Sequence, residues 1–450
     1  MKEFIKKLVP QSLLSLYHLA LAKLAAFWYG HPSEKLIVIG VTGTNGKSTV
    51  VNLIAAILEE AGYKVGLTST INFRVAGAEQ LNDLKMTMPG RLRLQKWLYD
   101  MARTGCQYAV IESSSEGVLQ HRHLGIHYDI MVFTNLAPEH LERHHGFENY
   151  KLAKLQYFRH LEKLPHKVLN GKRIPKIIVA NVESSFAEDF LNFNVDQKIG
   201  FSFPQKSARQ FPETRIICPK DVHISPDGTA FSIENIRIKT PLLGPFNVEN
   251  ALAAIAVAQS QGATLPVCRD ALRKIPQVPG RLEFIRAGQP FRVMIDYAPE
   301  PNSLSALYAL ISSWPEHRLL HILGSTGGGR DRARRAVLGE MAGRRADVVI
   351  VTNEDPYDDD PQEVVDEVAA GAISAGKVLG KDLFKILDRR EAIQFALQTA
   401  TSSDFVLLTG KGSEQAMVVA GGKMVPWDDR RVAREELAKL GYNKINATIN

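Results

Sequence analysis

Apolar residues in this chain gather in short unbroken runs. The runs at 36–43, 108–112, 130–135, 176–181, 293–297, 319–324, 348–353 and 405–410 each end in small or polar residues. Such runs predict strands buried on both faces, as in parallel sheets. Helical spacing occupies most of the intervals, at 48–60, 150–161, 248–261, 334–342 and 362–375. Strands alternating with helices predict an α/β fold with mostly parallel sheets. In such folds ligands sit beyond the carboxyl ends of the strands, where the polar clusters of this sequence fall. Residues 200–245 differ: they are short, Pro-rich and alternating, and predict antiparallel strands at the edge of the first domain. Pro276, Pro279, Gly280, Gly288 and Pro290 mark a linker. The expected division is a helical segment 1–34, a domain at 35–279 and a domain at 280–450.

Composition sharpens this picture modestly. The chain has 450 residues, 45% hydrophobic and 23% charged, which excludes a disordered or fibrous protein. Its net charge of +7 is spread too thinly to argue for nucleic acid, and no basic, aromatic-lined patch stands out. Cys106, Cys218 and Cys268 form no Cys-x-x-Cys pair, which speaks against a zinc ribbon and fits a reducing compartment. At the N-terminus Lys2, Lys6 and Lys7 precede the uncharged stretch 8–22. That stretch holds Pro10, Gln11, Ser12, Ser15 and His18 and is too short and polar to cross a bilayer. Two readings stay open for residues 1–29, a peripheral membrane contact and a helix docked on the body of the protein.

The chemistry begins at Gly40-Val-Thr-Gly-Thr-Asn-Gly46-Lys47-Ser48, which fits G-x-x-x-x-G-K-[ST] between a strand and a helix. Glycines let backbone N–H groups wrap phosphates, Lys47 adds positive charge, and the Ser48 hydroxyl suits Mg²⁺. The chain is therefore expected to bind a nucleoside triphosphate. Glu112, at the end of the next buried run, is well placed to hold the metal. His140, His144 and His145 follow Pro138 and Glu139, without the spacing of a zinc protease.

With these residues in view, the sequence resembles the Mur ligases, most closely those that add the third residue of the peptidoglycan stem peptide. The resemblance rests on Val41-Thr-Gly-Thr-Asn-Gly-Lys-Ser-Thr49, Glu112-Ser-Ser-Ser, Phe133-Thr-Asn-Leu with His140-Leu, and Tyr150-Lys-Leu-Ala-Lys154. It continues through Gly244-Pro-Phe-Asn-Val-Glu-Asn250, Pro279-Gly-Arg281, Asp296-Tyr-Ala, Gly329-Arg330-Asp331, Glu354-Asp355-Pro356 and Gly410-Lys-Gly-Ser-Glu414. It spans roughly residues 36–440 and implies a phosphate-loop central domain followed by a Rossmann-like C-terminal domain.

The resemblance also implies the activity, an ATP-dependent acid–amino-acid ligase. ATP turns a substrate carboxylate into an acyl phosphate, and an amine attacks it to form the amide. The expected product joins meso-diaminopimelate or L-lysine to the D-Glu carboxylate of a muramoyl-dipeptide precursor. The alternative is a non-UDP acceptor, folate-like or lipid-linked. Lys47, Glu112, His140 and Lys154 would be catalytic. Thr44, Asn45, Gly46, Lys47, Ser48, Thr49, Asn135, Asn250, Arg281 and Asp296 would hold the nucleotide. Ser48, Glu112, His140 and a carbamylated Lys154 would hold Mg²⁺. Thr87, Ser114, Arg330, Asp355, Gly410 and Glu414 would meet the substrates, which are small molecules. The implied compartment is the cytoplasm, with the inner face of the membrane as an option.

Four departures qualify the resemblance. The family places a UDP-binding domain ahead of the loop, which the sequence is expected to lack. Tyr357 stands where diaminopimelate-adding members carry an arginine, and a tyrosine cannot clamp a carboxylate bidentately. Asp358, Asp359 and Asp360 add acidity that suits a diamino acid such as lysine. Met88, Glu116 and Pro299 also replace family residues.

Overall fold

The structure is a computed structural model that describes residues 11–82, 84, 86–137, 144, 146–204, 211, 213–225, 227–275, 277–314, 318–329 and 332–443. The chain divides into two compact units, Met1–Pro276 and Gln277–Asn450.

The first unit is built on a nine-stranded sheet. In spatial order its strands are Thr214–Ile217, Gln197–Phe201, Ile177–Asn181, Ile130–Phe133, Ile37–Thr42, Tyr108–Glu112, Val65–Thr68, Asn72–Val75 and Ala78–Leu81. All neighbours are parallel except along the final hairpins. The apolar runs explain the middle of the sheet, where Tyr108–Glu112, Ile130–Phe133 and Ile177–Asn181 are buried at every position. The central strand Ile37–Thr42 carries the phosphate loop at its carboxyl end, with Val41 level with Glu112 and Thr42 level with Phe133. That register sets three polar segments side by side. At the amino ends of the strands Ile37–Thr42 and Ile130–Phe133, Lys167 donates to the carbonyls of Ser33, Leu36 and His127 and pairs with Asp129 at 2.5 Å, both side chains 4% exposed.

Two expectations change here. Gln197–Phe201 and Thr214–Ile217 extend the large sheet in parallel; only Lys220–Ser225, Gly228–Ile233 and Ile236–Thr240 form an antiparallel meander. Gly200, within the first of these, packs closely on its neighbour: an added Cβ would lie 2.6 Å from Val182. Sequence patterning also missed Val65–Thr68, Asn72–Val75 and Ala78–Leu81. The last is exposed throughout and so has no apolar signature.

The second unit holds a six-stranded sheet in the order Glu283–Phe284, Arg292–Ile295, Phe405–Leu408, Leu319–Leu323, Val348–Val351 and Leu383–Lys385. All but the first pairing are parallel. Its core joins Val293, Ile295, Leu320, Ile322, Val406 and Leu408 to the helices Arg389–Thr399 and Asp429–Lys439. Arg389 and Asp429, both fully buried, bridge those helices through hydrogen bonds of 2.8 and 2.7 Å.

Candidate active site

The phosphate loop closes on itself and on its neighbours. Gly43 and Gly46 have φ of +154° and +83°, the left-handed range in which a side chain is strained. Space is short as well: an added Cβ would lie 1.9 Å from Thr134 Oγ1 at Gly43 and 2.3 Å from Asn250 Oδ1 at Gly46. Lys47 opens the helix Lys47–Glu60 and its ammonium donates to Thr44 O at 2.6 Å across the loop. Thr44 N donates to Asn135 O at 2.9 Å, and Asn45 N to Asn135 Oδ1 at 2.8 Å. Thr134 Oγ1 donates to Asn45 O at 2.7 Å. Thr49 is buried in the helix's first turn. Asn250 approaches from the helix Pro245–Ser260 and is itself held by Asn247 Oδ1 at 2.9 Å.

Beside the loop stands a buried carboxylate. Glu112 accepts from Ser48 Oγ at 2.7 Å, from Thr70 N at 2.7 Å and from Thr70 Oγ1 at 2.9 Å. Thr70 Oγ1 spends its one proton on Glu112 and lies 3.0 Å from Thr87 Oγ1, so Thr87 donates to it and joins this network. A hydroxyl and a carboxylate are hard oxygen donors, which fit Mg²⁺. No three His, Cys, Asp or Glu side chains gather as a metal site among the described residues. Lys154, on the helix Phe147–Lys163 and 1% exposed, donates to Gly43 O at 2.7 Å. Its ammonium also lies 4.3 Å over the Tyr150 ring. His144 is buried edge-on against the same ring at 5.1 Å, so it is a packed histidine and not a solvated one. His140 lies outside the described residues.

Ser114 caps the short helix Ser115–Leu119 through Gly117 N at 3.2 Å, and its carbonyl accepts from Tyr157 OH at 2.8 Å. Nearby, the buried Arg122 donates to Gln120 Oε1 at 2.7 Å and to Met88 O. Sequence reasoning passed over Thr70 and Arg122 and gave Thr134, inside a quoted motif, no role. Arg122 carries no local signal of its role, since its burial and its bond to Met88 O, 34 residues away, appear only in the fold.

In the second unit four sequence-distant segments meet. Asp296 caps the Arg292–Ile295 strand, accepting from Leu282 N at 2.8 Å and Ala298 N at 2.9 Å. Burial pushes its carboxyl above the ordinary range, against the pull of Arg281. The Arg281 guanidinium lies 4.4 Å over the Tyr297 ring. Gly280 presses on the next segment, since an added Cβ would lie 2.1 Å from Ser413 N. Gly410, at φ +104°, faces Glu354 so closely that a Cβ would lie 2.1 Å from its Oε2. Glu354 is raised by burial and by Asp355.

Lys411 is the residue that sequence reasoning left without a role. Its buried ammonium donates to Asp355 Oδ1 at 2.9 Å, Glu414 Oε2 at 2.6 Å and Ala416 O at 2.8 Å. Two of the acids expected to meet the substrates thus already share an internal ammonium. The acidic run is likewise engaged: Asp358 accepts from Gly421 N at 2.7 Å, Asp359 pairs with Arg335 at 2.5 Å, and Asp360 caps the helix Pro361–Ser374. Tyr357, at φ +54°, lies against Gly328, where an added Cβ would be 2.7 Å from its ring. Arg330 lies outside the described residues.

Comparison with known proteins agrees with this layout. Residues 41–258 match the Mur ligase middle domain, and residues 280–412 match the Mur ligase, glutamate ligase domain. The chain is 38% identical over 434 residues to the UDP-N-acetylmuramyl-tripeptide synthetase of Roseiflexus sp. (strain RS-1), covering 94% of this chain and 82% of that protein. It is 33% identical over 422 residues to the UDP-N-acetylmuramoyl-L-alanyl-D-glutamate–2,6-diaminopimelate ligase of Syntrophomonas wolfei, covering 93% and 81%. A solved structure of a UDP-N-acetylmuramoyl-L-alanyl-D-glutamate–2,6-diaminopimelate ligase superposes with a TM-score of 0.58 at 29% identity, over 91% of this chain and 79% of that one.

Proposed function

This chain belongs to the Mur ligase family and is an ATP-dependent amide ligase, and on that premise we propose that it adds a diamino acid, diaminopimelate, to the D-Glu carboxylate of a UDP-muramoyl dipeptide. The observation that carries the chemistry is the Ser48–Glu112–Thr70 cluster at the mouth of a glycine-formed phosphate loop. Its ATP requirement argues for work in the cytoplasm.

The loop amides and Lys47 orient the triphosphate, and Lys47 is placed to neutralise charge on the transferring phosphoryl group. Ser48 and Glu112 would hold Mg²⁺, which supplies further positive charge there when bound. Thr70 fixes the Glu112 carboxylate through both its amide and its hydroxyl, so the metal ligand is pre-oriented. Lys154 is buried beside the loop; converted to a carbamate, it would carry negative charge there in place of the ammonium that now donates to Gly43 O. The test for it is partial rescue of Lys154→Ala by short carboxylic acids, and no rescue would refute it.

The deciding experiment measures phosphate release from ATP-Mg²⁺. The acceptors are UDP-MurNAc-L-Ala-D-Glu, its UDP-free form and a folate; the amines are meso-diaminopimelate, lysine and glutamate. Turnover that needs the UDP-muramoyl dipeptide and diaminopimelate supports the proposal. Turnover with lysine instead reassigns the amine, and turnover only with a UDP-free acceptor overturns the acceptor.

A further inference from the structure

We infer that the outward face of the N-terminal helix, together with the exposed side of the helix next to it, is a docking surface for an anionic lipid bilayer. The helix Gln11–Trp28 has two faces. Ala22, Ala25 and Ala26 are buried. They lie flat on the 122–125 turn, where an added Cβ at Gly125 would be 3.0 Å from Ala22 O. The opposite face carries Leu16, Tyr17, Leu24, Phe27 and Trp28, between 57% and 77% exposed. Their spacing places them in one stripe. Scattered exposed apolar residues need no explanation, but five large ones in a stripe do.

Charge decides the occupant. Residues 1–35 carry Lys2, Lys6, Lys7, Lys23 and Lys35 against Glu3 and Glu34, a net charge of +3. Lys23 is exposed within the stripe. The adjoining helix Arg91–Arg103 is joined at Tyr29–Tyr99, with ring centroids 5.8 Å apart. It exposes Leu92, Arg93, Lys96, Tyr99 and Arg103, and its one acid, Asp100, is paired to Lys96. Apolar and interfacial aromatic side chains with a net basic rim, Arg93 and Arg103 beyond the Lys96–Asp100 pair, match a bilayer with anionic headgroups. The surface lies on the membrane rather than in it, since no helix among the described residues is long and apolar enough to cross.

The test uses the full chain with vesicles of phosphatidylcholine, and of phosphatidylcholine with an equal part of phosphatidylglycerol. The chain is expected to float with the anionic vesicles and to lose that binding at high salt. Lys23→Gln with Arg93→Gln is expected to weaken partition about 25-fold, at about fivefold per basic residue. Phe27→Ser with Trp28→Ser is expected to weaken it at least about tenfold. A blue shift of emission on anionic vesicles should vanish in Trp28→Phe, which keeps the fold and the apolar stripe. Absence of flotation with either vesicle overturns the inference, as does flotation that both variant pairs leave unchanged. A concentration-dependent dimer dissolved by Phe27→Ser with Trp28→Ser also overturns it, by making a second copy the occupant.

Discussion

The contact between Gly46 and Asn250 gives a sharp test of how the phosphate loop is built. In Gly46→Ala the new Cβ falls 2.3 Å from Asn250 Oδ1, well inside van der Waals contact, at a φ of +83°. Two costs follow. A left-handed alanine costs roughly 1–2 kcal/mol, and overpacking a fixed neighbour costs roughly 1–3 kcal/mol more. Asn250→Ala removes the clashing oxygen and loses one hydrogen bond with Asn247, about 1 kcal/mol. The double variant therefore keeps the backbone strain but not the clash. Its destabilisation should fall short of the sum of the single variants by roughly 1–3 kcal/mol, against the few tenths expected of independent sites. Urea unfolding followed by far-UV circular dichroism, read on the transition of the first unit, supplies the four free energies. Additivity within about 0.5 kcal/mol would show that Asn250 does not press on the loop, and the account of Gly46 would fail.

Three other outcomes follow from the geometry. Lys167→Met leaves Asp129 buried without its cation and should cost about 3–5 kcal/mol in urea unfolding, part of which Asp129→Asn restores; a loss under 1 kcal/mol would refute the clamp. Thr70→Val removes the hydroxyl that orients Glu112 and should weaken activation by Mg²⁺ by about 10–100-fold in a magnesium titration, with unfolding nearly unchanged. Burial lowers the His321 pKa to about 3, with Arg389 adding to the shift, so its stabilisation is complete above its ordinary value near 6.5 and is lost as pH falls from there towards 3. By pH 5 that loss is about 2 kcal/mol, read as the difference in pH slope between the natural chain and His321→Asn. The difference is needed because burial pushes Asp129 up to about 6, and that carboxyl favours the folded state as pH falls below 6. Equal slopes would refute a neutral His321.

The legible parts of this molecule were those with local signatures. Wholly buried strands wrote themselves as apolar runs, and the loop wrote itself as glycines at Gly43 and Gly46, where positive φ and lack of space coincide. The exposed hairpin Ala78–Leu81 had no such signature. Thr70 was invisible for another reason. It meets Glu112 across 42 residues of chain, and a lone threonine after a strand reads as an ordinary turn residue. Lys411 was printed inside a recognised motif, yet only the fold shows that its ammonium lies between Asp355 and Glu414.

That lysine bears on how an amine substrate is chosen. A carboxylate pair open to solvent would attract any ammonium, so selectivity could rest on Asp355 and Glu414 alone. Here Lys411 already bridges them, with its side chain fully buried, and Val418 N donates to the same Asp355 oxygen at 2.7 Å. Displacing a buried, hydrogen-bonded ammonium leaves uncompensated charge, at a cost of several kcal/mol. If the proposed amine sits here, its ammonium would add to this cluster rather than replace Lys411, and Glu414, at 21% side-chain exposure, offers more surface than Asp355 at 7%. The far carboxylate of diaminopimelate then becomes the group that must be recognised elsewhere. Tyr357 packs on Gly328 and brings no cation to meet it. Tyr357→Arg should accordingly raise kcat/KM for diaminopimelate over lysine by tenfold or more, about 1.4 kcal/mol for one charge-assisted bond. An unchanged ratio in the phosphate-release assay would remove position 357 from amine selection.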